Sequence, residues 1–267
     1  VHDLRVTLVQ HELAWENPKD NRAQFTATLA RNNPQTDLIL LPEMFTTGFS
    51  MNALANAEAP GGPTQVWMRA IARDYDCAVA GSVAIEDRGA VYNRLLFVTP
   101  DTVQSYDKRH LFRMAGEHKR YAAGDQRVVL SWRDWRIKPE VCYDLRFPVF
   151  SRNREDYDLL FYVANWPAPR AHHWRVLLQA RAIENLAAVV GVNRIGSDAN
   201  GLEYRGDSMA IDARGEVLTD LGDRDGIATV SFSGAELLRY RESFPTHLDA
   251  DAFRLTNPDP SDKGADE

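Results

Sequence analysis

Four stretches of this chain are strongly apolar over lengths too short for a core helix. They are residues 37–41 (DLILL), 77–85 (CAVAGSVAI), 158–163 (DLLFYV) and 186–193 (LAAVVGVN). Short runs of this kind, bounded by polar or turn residues, belong to strands covered on both faces. A sheet whose two faces are both buried needs a layer on each side. The chain therefore has to build an α/β architecture. Pro42 stops the first run and places Glu43 just past the strand end. Ala164-Asn165-Trp166-Pro167 forms the exit loop of the third. Ligands gather at the ends of such strands.

Other segments fit this frame. Residues 4–9 alternate as a half-buried strand, and 91–98 returns from 77–85 across a turn at 86–89. Further strands are expected over 103–106, 128–131, 136–141, 205–212, 216–219 and 226–232. Helices are expected over 21–31, 63–75, 172–185 and 234–240, the last opened by Ser233. Residues 153–157 read as a helix end. In 63–75 the apolar face is Val66, Trp67, Ala70 and Ile71. This makes about a dozen strands and four or five helices without a linker, hence one α/β domain of two packed sheets with helices outside. Residues 1–256 form that domain. The Pro- and Asp-rich residues 257–267 form a mobile tail.

The chain has 267 residues, 26% of them charged, and a net charge of −7. No long basic run suits nucleic acid or an anionic membrane. No apolar segment approaches the ~20 residues of a membrane helix. The N-terminus has no signal segment and two cysteines make no disulfide framework, so the expected location is the cytoplasm. Cys77 lies inside a buried run and reads as packing.

Cys142 is different. It ends the strand Ile137-Lys138-Pro139-Glu140-Val141, and Pro148 follows shortly after. A thiol there is held on rigid scaffold, and the next turn offers free N–H groups, as at a nucleophile elbow. A free thiol needs a base to attack at neutral pH. A carboxylate at a buried strand end can be that base, because burial favours its neutral form. A lysine ammonium and the Tyr143 N–H can hold an oxyanion. Glu43, Lys108 and Cys142 thus make a set for acyl transfer without histidine, although their spacing alone does not bring them together. A Cys–His hydrolase has no histidine signalled opposite Cys142. The adjacent His172 and His173 are not the i, i+4 pair of a helical zinc site. Glu140, two residues before the thiol on a strand, would face the same side and raise the thiol pKa unless an arginine or a backbone donor pairs with it.

Three blocks resemble the nitrilase superfamily of carbon–nitrogen hydrolases, most of all its omega-amidase branch: Leu41-Pro42-Glu43-Met44-Phe45, Tyr106-Asp107-Lys108-Arg109-His110-Leu111-Phe112, and Val141-Cys142-Tyr143-Asp144-Leu145-Arg146-Phe147-Pro148. They occur in family order and at family-like separations, and residues 174–194 and 206–217 agree. The resemblance implies a four-layer αββα sandwich that pairs into dimers or larger oligomers. It implies Glu43 as general base, Lys108 as oxyanion stabiliser and Cys142 as nucleophile. Glu117, ahead of the Gly124-Asp125 turn, would be a second glutamate that positions substrate or water. No metal or organic cofactor is needed. The implied substrates are short 2-oxo dicarboxylic acid monoamides such as 2-oxoglutaramate and 2-oxosuccinamate. Arg146 and Arg194 are candidates for the substrate carboxylate, and Trp166 for a pocket wall. Carbamoyl-amide or nitrile hydrolysis would use the same residues. A silent binding protein on this fold is the non-enzymatic alternative. Residues 44–60 form a loop near the site.

Overall fold

A computed structural model describes residues 2–256; the expected tail at 257–267 lies outside the described residues. Fourteen strands are formed among them: β1 (Leu4–Gln10), β2 (Leu38–Leu40), β3 (Ala78–Asp87), β4 (Ala90–Val98), β5 (Val103–Asp107), β6 (Leu130–Trp132), β7 (Trp135–Val141), β8 (Leu159–Ala164), β9 (Ala188–Asn193), β10 (Ile195–Ser197), β11 (Glu203–Arg205), β12 (Met209–Ile211), β13 (Val217–Asp220) and β14 (Gly226–Phe232). Six α-helices accompany them: α1 (Pro18–Asn32), α2 (Ala53–Asn56), α3 (Pro63–Asp74), α4 (Pro148–Ser151), α5 (Ala171–Asn185) and α6 (Gly234–Ser243).

The apolar runs become the centres of two six-stranded sheets. One has the order β14-β1-β2-β3-β4-β5, the other β13-β12-β9-β8-β7-β6. In the first, β1, β2 and β3 run parallel and the flanking strands antiparallel. In the second, β7, β8 and β9 are the parallel core, flanked by antiparallel β6 and β12. Alternation along each strand then fills three apolar layers. Val6, Leu38 and Leu40 meet Val141, Phe161 and Val190 between the sheets. Ile39 and Leu41 face Phe25, Leu29 and Met68 under α1 and α3. Leu160, Tyr162 and Val189 face Trp174, Leu178 and Ala182 of α5. This is the expected αββα sandwich. Gly191 permits the closest part of that packing, since a Cβ there would lie 2.4 Å from the Leu178 side chain.

Several local expectations shift. Helix α3 buries Thr64, Met68, Ile71 and Ala72, and Val66 points to solvent. Of the expected face Ile71 is buried and Trp67 packs half-buried on the core, whereas Val66 and Ala70 are exposed and the small Thr64 and Ala72 fit the close helix–sheet contact. The Arg88-Gly89 tip has positive φ at both positions (52° and 81°), as a two-residue hairpin requires. The helix expected to end at 157 is a single turn, α4, opened by Pro148. The loop at 196–201 is partly paired, as the β10–β11 hairpin. Ser233 caps α6 as expected, accepting from the Glu236 N–H. Among the described residues no helix is long and apolar enough to cross a membrane.

Candidate active site

Strand β7 stays extended through Val141, and Cys142 then turns to φ 46°. A left-handed conformation at a non-glycine residue is strained. Here it is held by Asp144, two residues on. Its Oδ2 accepts from the Val141 N–H (3.0 Å) and the Tyr106 hydroxyl (2.7 Å), and its Oδ1 from the His110 N–H (3.0 Å), with His110 Nδ1 2.7 Å away. Burial alone would raise the Asp144 carboxyl, but these hydrogen bonds, led by that of His110, keep it below the usual range. His110 lies flat on Phe147, with ring centroids 3.8 Å apart. Asp144 therefore fastens the cysteine turn to the loop carrying Lys108. That loop continues β5: the Lys108 N–H donates to Asn93 O, and its carbonyl accepts from Gly124. A side chain at residue 124 would meet Asp107 O at 2.2 Å, so only glycine lets the strand pass.

The turn at Cys142 also settles Glu140. Straight-strand geometry would put both side chains on one side, but Cys142 has left the strand. Glu140 is fully buried, with Lys138 Nζ 3.0 Å from Oε1 and the Ser151 hydroxyl donating to Oε2. Its partners are thus a lysine and a serine, not an arginine or a backbone donor.

Glu43, Lys108 and Glu117 come together in the interior, each at most 1% exposed. Lys108 Nζ donates to Glu43 Oε1 (2.9 Å) and to both oxygens of Glu117 (3.0 and 2.9 Å). Burial by itself would lower the lysine pKa. Glu117 and then Glu43 reverse that, so it stays protonated above its ordinary range. Burial raises the Glu117 carboxyl, against the pull of Lys108. The Phe112 N–H donates to Glu117 Oε2 at 2.6 Å. Two asparagines complete the cluster. The Asn93 amide donates to Glu43 Oε1 (2.8 Å) and Glu117 Oε1 (3.2 Å), and the Asn165 N–H donates to Glu43 Oε2 (2.8 Å). The sequence reading missed Asn93. Its only signal was an asparagine, next to Arg94, inside the largely apolar strand 91–98.

The thiol of Cys142 donates weakly to Asn165 O, 3.9 Å away. Burial pushes its pKa well up, the Glu43 charge adds to this, and Lys108 opposes it. Cys77 is not bridged to it; burial pushes that thiol up to about 12.

Above the thiol opens a cavity of about 520 Å³, lined by Glu43, Lys108, Cys142 and Tyr143 and walled by aromatic rings including Phe112 and Trp166. Arg146 and Trp166 both line it, the guanidinium 4.8 Å above the indole. Arg194 does not. It is fully buried and donates to the carbonyls of Ile195 and Ser197, bracing the β10–β11 hairpin. Residues 49–52 of the loop at 44–60 form part of the rim. Among the described residues no group of three or more His, Cys, Asp or Glu could hold a metal ion. A thiol, a buried carboxylate and a fixed cation at the floor of such a cavity can carry acyl transfer.

Fold and site together define a hydrolase of carbon–nitrogen bonds, and the chain belongs to the carbon–nitrogen hydrolase family, whose profile matches residues 5–240. It is an amidohydrolase of the nitrilase superfamily. It is 51% identical over 254 residues to the omega-amidase YafV of Escherichia coli K12, covering 94% of this chain and 98% of that protein. The 2-oxoglutaramate amidase of Bacillus subtilis is 32% identical, over 91% and 96% of the two chains. A solved structure of XC1258 from Xanthomonas campestris, a CN-hydrolase superfamily protein with an arsenic adduct in its active site, superposes with a TM-score of 0.94. It is 48% identical, over 96% of this chain and all of that one.

Proposed function

We propose that Cys142 is the nucleophile, Glu43 the general base and Lys108 the oxyanion stabiliser of an omega-amidase acting on short 2-oxo dicarboxylic acid monoamides such as 2-oxoglutaramate and 2-oxosuccinamate. The observation that carries the reading is the Lys108 ammonium bound by two buried carboxylates at the floor of the cavity that holds Cys142. The thiol is neutral at rest, so its proton passes to Glu43 as Sγ attacks the amide carbon. Lys108 and the Tyr143 N–H hold the oxyanion; Tyr143 begins the turn after Cys142, where N–H groups lack a partner within the turn. The C–N bond breaks as Glu43 returns the proton to the departing ammonia. Glu43 then deprotonates water, which adds to the thioester. The C–S bond breaks, and the thiolate recovers its proton. Glu117 keeps Lys108 in place and orders substrate or water.

Arg146, stacked on Trp166 in the same cavity, supports recognition of a substrate carboxylate. The substrate class also rests on likeness to YafV and to the Bacillus amidase. We take residues 1–256 as one catalytic domain. The exposed Val176 and Ile183 on α5 support pairing into a homodimer or larger oligomer. The unbridged thiols support a cytoplasmic location. The test is ammonia release from 2-oxoglutaramate by the intact protein and by Cys142→Ala. We expect turnover by the first and a loss of at least about a thousandfold in the second. Equal turnover would remove Cys142 from the mechanism. No turnover by folded intact protein would remove the substrate class.

A further inference from the structure

Arg170 is a third cation in the active-site cavity, beside Lys108 and Arg146, and sequence reasoning did not single it out. It follows the short turn after β8, and its guanidinium carbon sits 5.5 Å from the centre of the Phe112 ring. Its backbone is fixed on both sides: the N–H donates to Pro167 O, and the carbonyl accepts from the Trp166 indole at 2.8 Å. Phe112 is anchored in turn, because its N–H binds Glu117. Arg170 is therefore held relative to the Lys108 cluster through one ring. Arg146 is held relative to the thiol, four residues along the same turn, and also meets His173 Nδ1 at 3.1 Å.

The charges of the cavity set these two apart. Lys108 is bound to Glu43 and Glu117. The Asp198 carboxylate is engaged by its own hairpin, accepting from the N–H groups of Asn200 and Leu202 and from the Tyr204 hydroxyl. Neither Arg146 nor Arg170 is paired with a carboxylate among the described residues, yet both lie on aromatic faces that leave their N–H edges available. Two flat guanidinium groups offer forked donor pairs. An isolated carboxylate needs one fork; a carboxylate with an adjacent carbonyl presents three acceptor oxygens and can engage two.

We propose that Arg170 is a specificity-determining residue, which with Arg146 selects amides whose far end is a 2-oxo carboxylate. This deepens the omega-amidase reading and rests on it for the reaction, but anion recognition can be measured without turnover. Titrating the intact protein and Arg170→Gln with 2-oxoglutarate, the acid that the proposed hydrolysis leaves, should show at least tenfold weaker binding by the variant. Equal affinity, or no binding by the intact protein, overturns the assignment. In turnover, Arg170→Gln should raise KM for 2-oxoglutaramate at least tenfold and change kcat less than threefold. The preference for 2-oxoglutaramate over the uncharged butanamide should fall by a similar factor. Equal loss on both amides would mean that Arg170 only supports Phe112, which also overturns the assignment. If the intact protein binds 2-oxoglutarate and Arg170→Gln does not, but 2-oxoglutaramate is never hydrolysed, the proposed reaction fails and the anion site stands.

Discussion

Glu43 has little freedom. Oε1 accepts from Asn93 and Lys108, and Oε2 from the Asn165 N–H. To take the thiol proton it has to give up part of this set. Burial keeps the neighbouring thiol un-ionised, and the Glu43 charge adds to this. Glu43→Gln should therefore separate two quantities that move together in a simple thiolate enzyme. Followed by thiolate absorbance, the Cys142 ionisation should move to lower pH, because a raising charge is gone and Lys108 remains. Amide turnover should nevertheless fall by about a thousandfold, as expected for loss of a general base. An unchanged or higher midpoint would contradict the electrostatic account. At this scale the sequence was legible where a residue type is chemically unusual for its place: a glutamate after an apolar strand, a thiol at a strand end. Asn93 and Arg170 were not, because an asparagine in a strand and an arginine in a loop have many ordinary uses. Only their hydrogen bonds and ring contacts distinguish them.

At the scale of elements, Asp158 joins three pieces. It precedes β8, binds the Arg136 backbone and guanidinium on β7, and accepts from Arg241 on α6 at 2.6 Å. Burial would raise this carboxyl, but Arg136 and Arg241 hold it below the ordinary range. A depressed folded pKa contributes stability above the unfolded value of about 3.9, and that stability is lost as pH falls through the folded value. Asp158→Asn should cost about 2–4 kcal/mol near neutrality, because it leaves two guanidinium groups short of their partner. The difference from the parent should shrink as pH drops below about 4. Thermal unfolding across that range measures it, and a pH-independent difference would exclude the ionic account. Long apolar strands such as 158–163 were readable because burial on both faces removes every polar position. The hairpin β10–β11 was not readable: its strands have three residues each, and Ser197 is exposed. Which face of α3 is buried depends on how close the helix can approach the sheet, and hydrophobicity alone does not carry that information.

Across the whole molecule the site is divided. Glu43 follows a strand of the first sheet, and Lys108 follows another; Cys142 and Asn165 follow strands of the second. The order of these residues was visible in the chain, but their meeting depends on how two sheets dock, which no local pattern encodes. The first sheet has a further property. Strand β1 is covered on its outer edge by β14, in register from Leu4 opposite Phe232 to Gln10 opposite Gly226. A chain ended after residue 225 would leave the seven-residue strand β1 with one open edge, a template for pairing with other chains. We expect that truncation to aggregate and to release no ammonia, as sedimentation and the amide assay would show. A soluble, active truncated form would mean that β14 is dispensable. For a ribosome making this protein, the second strand of that pairing emerges after every other described strand, about 220 residues after the first, at ~5–20 residues per second. The outer edge of the opening strand stays unpaired for about ten seconds or more, and over the last ~120 residues of that interval every other strand of its sheet has already been made. The enzyme completes its first sheet only when β14 has been made, and the interval before that is when the nascent chain has most need of a chaperone.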